Sequence, residues 1–323
     1  MCDSLSRSRE SAASGDFNMI PRRPPHGGRV GFLYCPPWRV QGISIGGEQT
    51  VVQIPELDIN FDIGMCPRVA LAAPWVAISH GHMDHIGGLP YYFSQRSFQK
   101  MPGGTCVCPP QMVAPLEAMM KAWAPVEHQQ TPFKIIPLGH GEQTEIKPSV
   151  FLKAIEMRHT VPANGYAIVE HRSKLRPDLA GTPQGRLREL REAGESITEI
   201  QQIPLVAFTG DTDMTPNLRL PEFTDARLII TECTFFDEGH HQRARIGNHL
   251  HLKDLAELLE SWKAESVVVI HTSRRTRVEQ AREQARQLLG DQQMERVHFL
   301  MDHRRNRQRY EQQTESASEL SGN

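Results

Sequence analysis

The sequence predicts an α/β chain folded as a four-layer αββα sandwich, two sheets packed face to face beneath outer helices. Three observations carry that expectation. Strand-like runs dominate the first half of the 323 residues, and alternation of strands with helices grows in the second. A knot of ionisable side chains, "SHGHMDHIGG" at 79–88, follows directly on the apolar run "APWVAIS" at 73–79. Burying such groups unpaired costs several kcal/mol, so they belong at a strand end, where a loop or a bound partner satisfies them.

In order along the chain, strands are expected at 40–46, 50–54, 57–63 and 74–79, where β-branched and other apolar residues cluster. A helix follows near 85–94, then a strand at 104–108 and a helix at 109–122. Further strands fall at 133–137, 149–158, 164–170, 204–209 and 226–231. The segment "LKDLAELLESWK" (252–263) repeats leucine at helical spacing, "SVVVIH" (266–271) is a buried strand, and "RVEQAREQARQLLG" (277–290) is helical. A charged, Gly- and Pro-punctuated insert at 171–196 interrupts the pattern.

Hydrophobic residues make up 39% of the chain and charged residues 23%, enough apolar material for one large core. The formal net charge of −2 excludes a globally basic nucleic-acid binder, so any polyanion site has to be a local patch. No apolar run reaches the roughly 18 residues needed to span a bilayer, so no membrane partner is expected. Residues 1–27 are polar and rich in Pro and Arg and are expected to be disordered, and 304–323 reads as a polar C-terminal tail. Between them, 28–303 forms the main domain. The N-terminal segment has no apolar core of a secretory signal. Six cysteines without disulfide or zinc-ribbon spacing suit free thiols in a reducing cytoplasm.

The pattern H-x-H-x-D-H places His80, His82, Asp84 and His85 within six residues at the end of a buried strand. Imidazole and carboxylate together suit zinc, and such sites with an open position are catalytic. Distant partners stand at other strand ends: His159 closes "FLKAIEMRH", Asp211 follows "PLVAFTG", and His271 follows "SVVVI". Together with the tetrad they form one candidate seven-ligand pocket.

The stretch "SHGHMDHIGG" resembles the signature of the metallo-β-lactamase superfamily, which implies its four-layer sandwich for 28–303. Seven ligands without a cysteine resemble its dinuclear phosphodiesterase branch. That resemblance implies two Zn2+ ions per chain, with Mn2+ as the alternative: His80, His82 and His159 on one, Asp84, His85 and His271 on the other, Asp211 bridging. "GISIGGEQT" (42–50), "FDIGMCP" (61–67), "FTGDT" (208–212), "TECTFFDE" (231–238), "GNHLHLKDL" (247–255) and "VVIHTSRRTR" (268–277) are similar to the ribonuclease Z family, the tRNA 3′-processing endonucleases, most closely the short plant form. The family implies precursor tRNA as substrate and a homodimer. It also implies His249 as the acid that protonates the leaving oxygen, Glu232 as its orienter and Arg275 as a phosphate-binding residue. His251 competes with His249 inside "NHLH", and Asp84 doubles as ligand and proton acceptor.

Two departures stand out, "NHLH" for the family's G-H-S-T and "TECT" for its H-E-A-T. The insert 171–196 sits where the family places a tRNA-gripping arm and carries Lys174 and five arginines, although it is short. A small-molecule phosphodiesterase with that insert as a lid, and a non-catalytic homologue binding nucleic acid or a protein, are the competing readings.

Overall fold

The computed structural model describes residues 29–321, so the expectation for 1–27 lies outside the described residues. The first sheet opens with an antiparallel meander, β1 (Gly31–Cys35), β2 (Trp38–Gly46), β3 (Gln49–Ile54) and β4 (Ile59–Phe61). It continues in parallel through β5 (Trp75–Ala77), β6 (Thr105–Cys108) and β7 (Lys134–Pro137). Parallel neighbours need crossovers: a 3-10 turn at Arg68–Ala72 serves β4 to β5, α1 (Met83–Ile86) and α2 (Leu89–Phe98) serve β5 to β6, and α3 (Val113–Glu127) serves β6 to β7.

The second sheet starts with β8 (Gln143–Lys147), β9 (Val150–Met157), β10 (Ala163–Leu175) and β11 (Thr198–Phe208), all antiparallel. The insert carries α4 (Gln184–Glu192), and α5 (Pro221–Thr224) precedes β12 (Leu228–Glu232), which runs parallel to β11. Next come α6 (His241–Gly247), α7 (Leu252–Ser261) and β13 (Ser266–Ile270), then β14 (Thr272–Ser273), which crosses to pair with Ile45 and Gly46 of the first sheet. Helix α8 (Val278–Met294), β15 (Val297–Phe299) beside β13, and α9 (His303–Ser321) complete the chain.

The expected four layers are present. Between the sheets the Phe61 and Phe208 rings stack at 4.6 Å, surrounded by buried Tyr166, Ile230 and Val268. Outside the second sheet, Leu255, Leu258 and Leu259 of α7 pack with Trp262 and Phe223. Outside the first, Leu89, Phe93, Leu116 and Met120 of α2 and α3 form the other cover. Strands β9, β11, β12 and β13 all run the same way, so their C-terminal ends meet at one rim with that of β5.

Three differences from the sequence expectation have physical causes. Residues 303–321 form α9 rather than a tail. Asn306, Tyr310, Gln313 and Ala317 recur at helical spacing and make one inward stripe: Tyr310 meets Phe32 edge-on, Gln313 Nε2 donates to Tyr34 O, and Asn306 Nδ2 donates to Phe299 O and Leu300 O. A stripe half made of amides is invisible to a count of apolar residues. Strands β1, β8 and β15 add an edge pair and sheet ends that the pattern does not announce. The insert is not a separate module: β10 and β11 simply extend into a two-stranded ribbon tipped by α4. Its closed end lies away from the rim, roughly 34 Å along β11 at about 3.4 Å per residue.

Truncating Phe208 to Ala removes the ring that closes the inter-sheet stack. Loss of about 3–5 kcal/mol of stability is expected, read from urea denaturation followed by tryptophan fluorescence.

Candidate active site

Strand β5 delivers Ile78 and Ser79, the backbone turns through 80–82, and His82 precedes the short helix that returns Asp84 and His85 to the same side. The close return is possible because residue 64 is glycine: a Cβ there would stand 1.7 Å from Asp84 O. From the second sheet, the ends of β9, β11 and β13 bring His159, Asp211 and His271 to the same rim. His271 is held at φ 57°, a left-handed conformation that a non-glycine residue adopts only under constraint. Its N–H donates to Ser44 Oγ at 3.0 Å.

The ring nitrogens are sorted by their partners. Nδ1 of His80 donates to Ser79 Oγ (2.9 Å), of His85 to Asp62 Oδ2 (2.8 Å), of His159 to Asn248 O (3.0 Å) and of His271 to Thr234 Oγ1 (2.9 Å). Such bonds fix the tautomer and leave each Nε2 lone pair facing inward. His82 presents Nδ1 instead, 3.0 Å from His80 Nε2 and 3.3 Å from His159 Nε2. Three nitrogens about 3.3 Å apart are what a tetrahedral ion with Zn–N bonds of about 2.0–2.1 Å requires. Beside them Asp211 Oδ2 lies 3.3 Å from His85 Nε2, 3.3 Å from His271 Nε2 and 3.9 Å from His80 Nε2. Asp84 Oδ2 faces the same two nitrogens, at 3.5 Å from His85 and 3.6 Å from His271.

The residues fit a divalent cation. His80, His82 and His159 form one group of donors within 4.8 Å of one another, and Asp84, His85 and His271 form a second. Asp211 joins His80 and His85 in a third group that touches both. Nε2 of His85 and of His271 are buried with no hydrogen-bond partner among the described residues, a costly state that a cation relieves. Charge follows the same logic. Burial, reinforced by the neighbouring imidazoles, pushes His80 down to about 2, so it is a neutral ligand. Burial would raise Asp84, but the neighbouring imidazoles of His271 and His85 outweigh it and keep the carboxylate ionised. Asp211 is likewise lowered, the imidazoles of His271 and His85 overcoming desolvation. Burial disfavours the His85 cation, yet Asp211 and Asp62 raise it well above the ordinary range, so in the metal-free chain it carries a proton that a metal displaces.

A second constellation adjoins the first. Glu232, fully buried at the end of β12, accepts from Thr212 N (2.9 Å), Thr234 Oγ1 (2.6 Å) and His249 Nδ1 (2.9 Å). His249 keeps 18% of its side chain exposed, with Nε2 unengaged among the described residues. Desolvation alone would lower it, but the Glu232 charge and hydrogen bond push it up to about 9. His251 is different. Its Nδ1 accepts from Lys253 N (3.1 Å), its Nε2 donates to Asp237 O (3.0 Å), and with Asp254 it forms the capping box of α7. Both nitrogens are spent on structure, which separates two histidines that spacing alone leaves in competition. Arg275 sits exposed on the turn after β14 and its guanidinium contacts none of the donors.

Sequence reasoning misses the supports. Asp62 lies in "FDIG", Ser79 opens "SHGH" and Thr234 closes "TECT", and nothing local to these motifs gives those three residues a role. In the fold Asp62 accepts from Ser79 N (2.7 Å), Ser79 Oγ (2.8 Å) and His85 Nδ1, and Thr234 joins Glu232 to His271.

Residues 70–272 match the family described as the beta-lactamase superfamily domain, and with the donor groups above the chain is a metal-dependent hydrolase of that class. Two proteins of Arabidopsis thaliana narrow it. The chain is 32% identical to a chloroplastic tRNase Z over 249 residues, 76% of this chain and 70% of that protein. It is 31% identical to another tRNase Z over 244 residues, 75% of this chain and 87% of that one. The chain belongs to the tRNase Z, or ribonuclease Z, family. In fold it resembles the crystal structure of the short form of human tRNase Z, with a TM-score of 0.52 at 18% identity over 85% of this chain and 96% of that one.

Two substitutions separate supports from donors. Asp62→Ala is expected to weaken metal binding by roughly 10–100-fold, measured by competition with a chromophoric chelator. His251→Ala should lower stability by about 1 kcal/mol, the ordinary worth of a helix N-cap. Urea titration reads that loss, and metal content should stay at the parent level.

Proposed function

We propose that this chain is an endoribonuclease that removes 3′ trailers from precursor tRNA, working with two divalent ions bound at the rim. The convergence of seven donors at one rim, with Asp211 touching both groups and the Glu232–His249 pair beside them, is the observation that carries the reading. His80, His82 and His159 would hold one ion and Asp84, His85 and His271 the other, with Asp211 shared. Five imidazoles and two carboxylates suit zinc, with manganese the alternative. When bound, such a pair lowers the pKa of water and stabilises charge on the attacking and leaving oxygens of a phosphodiester.

The chain's own residues supply the proton chemistry. Glu232 holds His249 by Nδ1, which aims the protonated Nε2 outward as the donor to the departing ribose oxygen. The raised pKa keeps that proton in place at neutral pH. Asp84, anionic and engaged through Oδ2 by Gly47 N, offers its other oxygen as proton acceptor. Arg275 is exposed and free to meet a phosphate from solvent.

The lid reading finds no support in the ribbon, whose tip points away from the rim. The gripping arm is supported only in reduced form: Arg172, Arg176, Arg186 and Arg188 are paired with Glu170, Asp178, Glu189 and Glu192. Among the described residues, Lys174 and Arg191 are the cations it keeps without an acidic partner. A homodimer belongs to the proposal, with exposed Met65, Met83, Tyr91 and Phe98 as apolar surface for it to cover. So does a cytoplasmic setting, which Cys35, Cys66, Cys106, Cys108 and Cys233, all free, favour.

The test is cleavage of precursor tRNA by zinc- or manganese-loaded protein, abolished by a chelator. His249→Ala should lower turnover on tRNA by roughly 10²–10⁴-fold at unchanged metal content by elemental analysis. An ester with a p-nitrophenolate leaving group, which needs no proton, should lose far less; equal losses on both substrates would reject the acid role.

A further inference from the structure

Outside the donor cluster, among the described residues, a dense group of arginines without ion-pair partners lies where α8 and α9 begin. The turn after β14 carries Arg274, Arg275 and Arg277, and the first turns of α9 carry Arg304, Arg305 and Arg307. All six are exposed, none has an ion-pair partner among the described residues, and neither 272–278 nor 303–310 contains an acidic residue. The two segments are brought together by the fold. Strand β15 pairs in parallel with β13, Val269 opposite Phe299, and Leu300 N donates to Val269 O at 3.0 Å. Residues 301–303 therefore leave the sheet at the level of His271. Arg282, in the second turn of α8, pairs with Asp302, which also caps α9 through Arg305 N. From Arg277 to Arg282 is roughly 8 Å along a helix, so both arginine groups flank the Arg282–Asp302 pair at the end of the sheet that carries His271.

That surface is electrostatically unfavourable in the isolated chain. Like charges without counter-charges repel one another, and arginines in the first turns of α9 oppose the helix dipole. Asp302 is already engaged by Arg282, and neither Glu279 on α8 nor Glu311 on α9 makes an ion pair with any of the six among the described residues. The ribbon shows the opposite arrangement, since four of its arginines are neutralised within it. A chain of net charge −2 thus carries six exposed arginines without ion-pair partners on two short segments, among the described residues.

We propose that this surface is a track for the phosphodiester backbone of RNA, holding the substrate on the β15 side of the metal centre. The proposal rests on the reading of the chain as an RNA endonuclease, and it places the main electrostatic grip on α9 and the α8 turn rather than on the ribbon. Backbone contacts of this kind act through counterion release and are indifferent to base sequence.

The test uses the full chain, metal-loaded, with Arg304, Arg305 and Arg307 all changed to Glu, and a parallel variant with all three changed to Lys. Glutamate suits the first turn of a helix, so folding should survive, and urea midpoints check it. For precursor tRNA the Glu variant should raise KM by roughly tenfold or more with kcat within about twofold, and the slope of log kcat/KM against log salt should become shallower by about 2–3. The Lys variant should restore most of the loss, and hydrolysis of bis-p-nitrophenyl phosphate should be unchanged in both. If the triple Glu variant does not fold, Arg304→Ala alone should still make the slope shallower by about 1. Unchanged KM and salt slope, in protein whose parent cleaves tRNA, would overturn the track and leave the endonuclease standing. If the parent fails on tRNA while binding to a short RNA duplex, read by fluorescence anisotropy, is lost in the Glu variant and kept in the Lys variant, the track stands and the substrate assignment falls.

Discussion

The carboxylate of Asp62 is the constraint on which the rim depends. It is fully buried and takes three donors, the Ser79 backbone, the Ser79 hydroxyl and His85 Nδ1. Through Ser79 Oγ it also sets His80, so one anion orients a nitrogen in each of the two donor groups. A buried carboxylate is tolerable only when its lone pairs are filled, and here filling them is what aims the imidazoles. Asp62 itself is fixed by the sheet: its N–H donates to Ala77 O at 2.9 Å, and its φ of 57° turns the chain off β4. The parallel pairing of β4 with β5 thus determines where the metal ligands stand.

The second sheet repeats the device with different chemistry. Glu232 closes β12 and collects Thr212 N, Thr234 Oγ1 and His249, while Thr234 passes the link to His271. Each half of the site is therefore tied to a buried anion on its own sheet, and the packing between sheets sets the distance between the halves. Phe61 immediately precedes Asp62, and Phe208 lies three residues before Asp211. The aromatic stack at the centre of the core is a spacer for the chemistry above it.

What the sequence discloses follows from which physics is local. His80, His82, Asp84 and His85 are legible because three imidazoles and a carboxylate seldom crowd into six residues beside a buried strand unless a cation holds them. His159, Asp211 and His271 are legible because strand ends are recognisable from apolar runs. Asp62, Ser79 and Thr234 are not, since an aspartate, a serine or a threonine after a strand is commonplace until its partners from other strands are known. The pair His249 and His251 cannot be separated on spacing alone; only the capping box, formed with Asp254, shows that His251 has no nitrogen to spare. Helix α9 is hidden because its inward stripe mixes Asn306 and Gln313 with Tyr310 and Ala317. Amides satisfy the carbonyls of β1 and β15 there as well as leucines would fill a groove.

The charge distribution separates reaction from grip. At the donors every charge is matched: carboxylates face imidazoles, and their protonation states are set by one another. Along the ribbon four of the five arginines are matched, Arg186 and Arg188 by glutamates three and four residues away in α4, pairs that add only a few tenths of a kcal/mol each. The turn after β14 and the start of α9 carry six exposed arginines without an ion-pair partner among the described residues. Interactions made equally in the ground and transition states lower KM without accelerating the bond-breaking step, so in the proposed reading charge placed there would select long polyanions over short ones and leave the rate to Glu232, His249 and the donors. On the proposed reading, hydrolysis of RNA and of a minimal phosphodiester would depend on different residues.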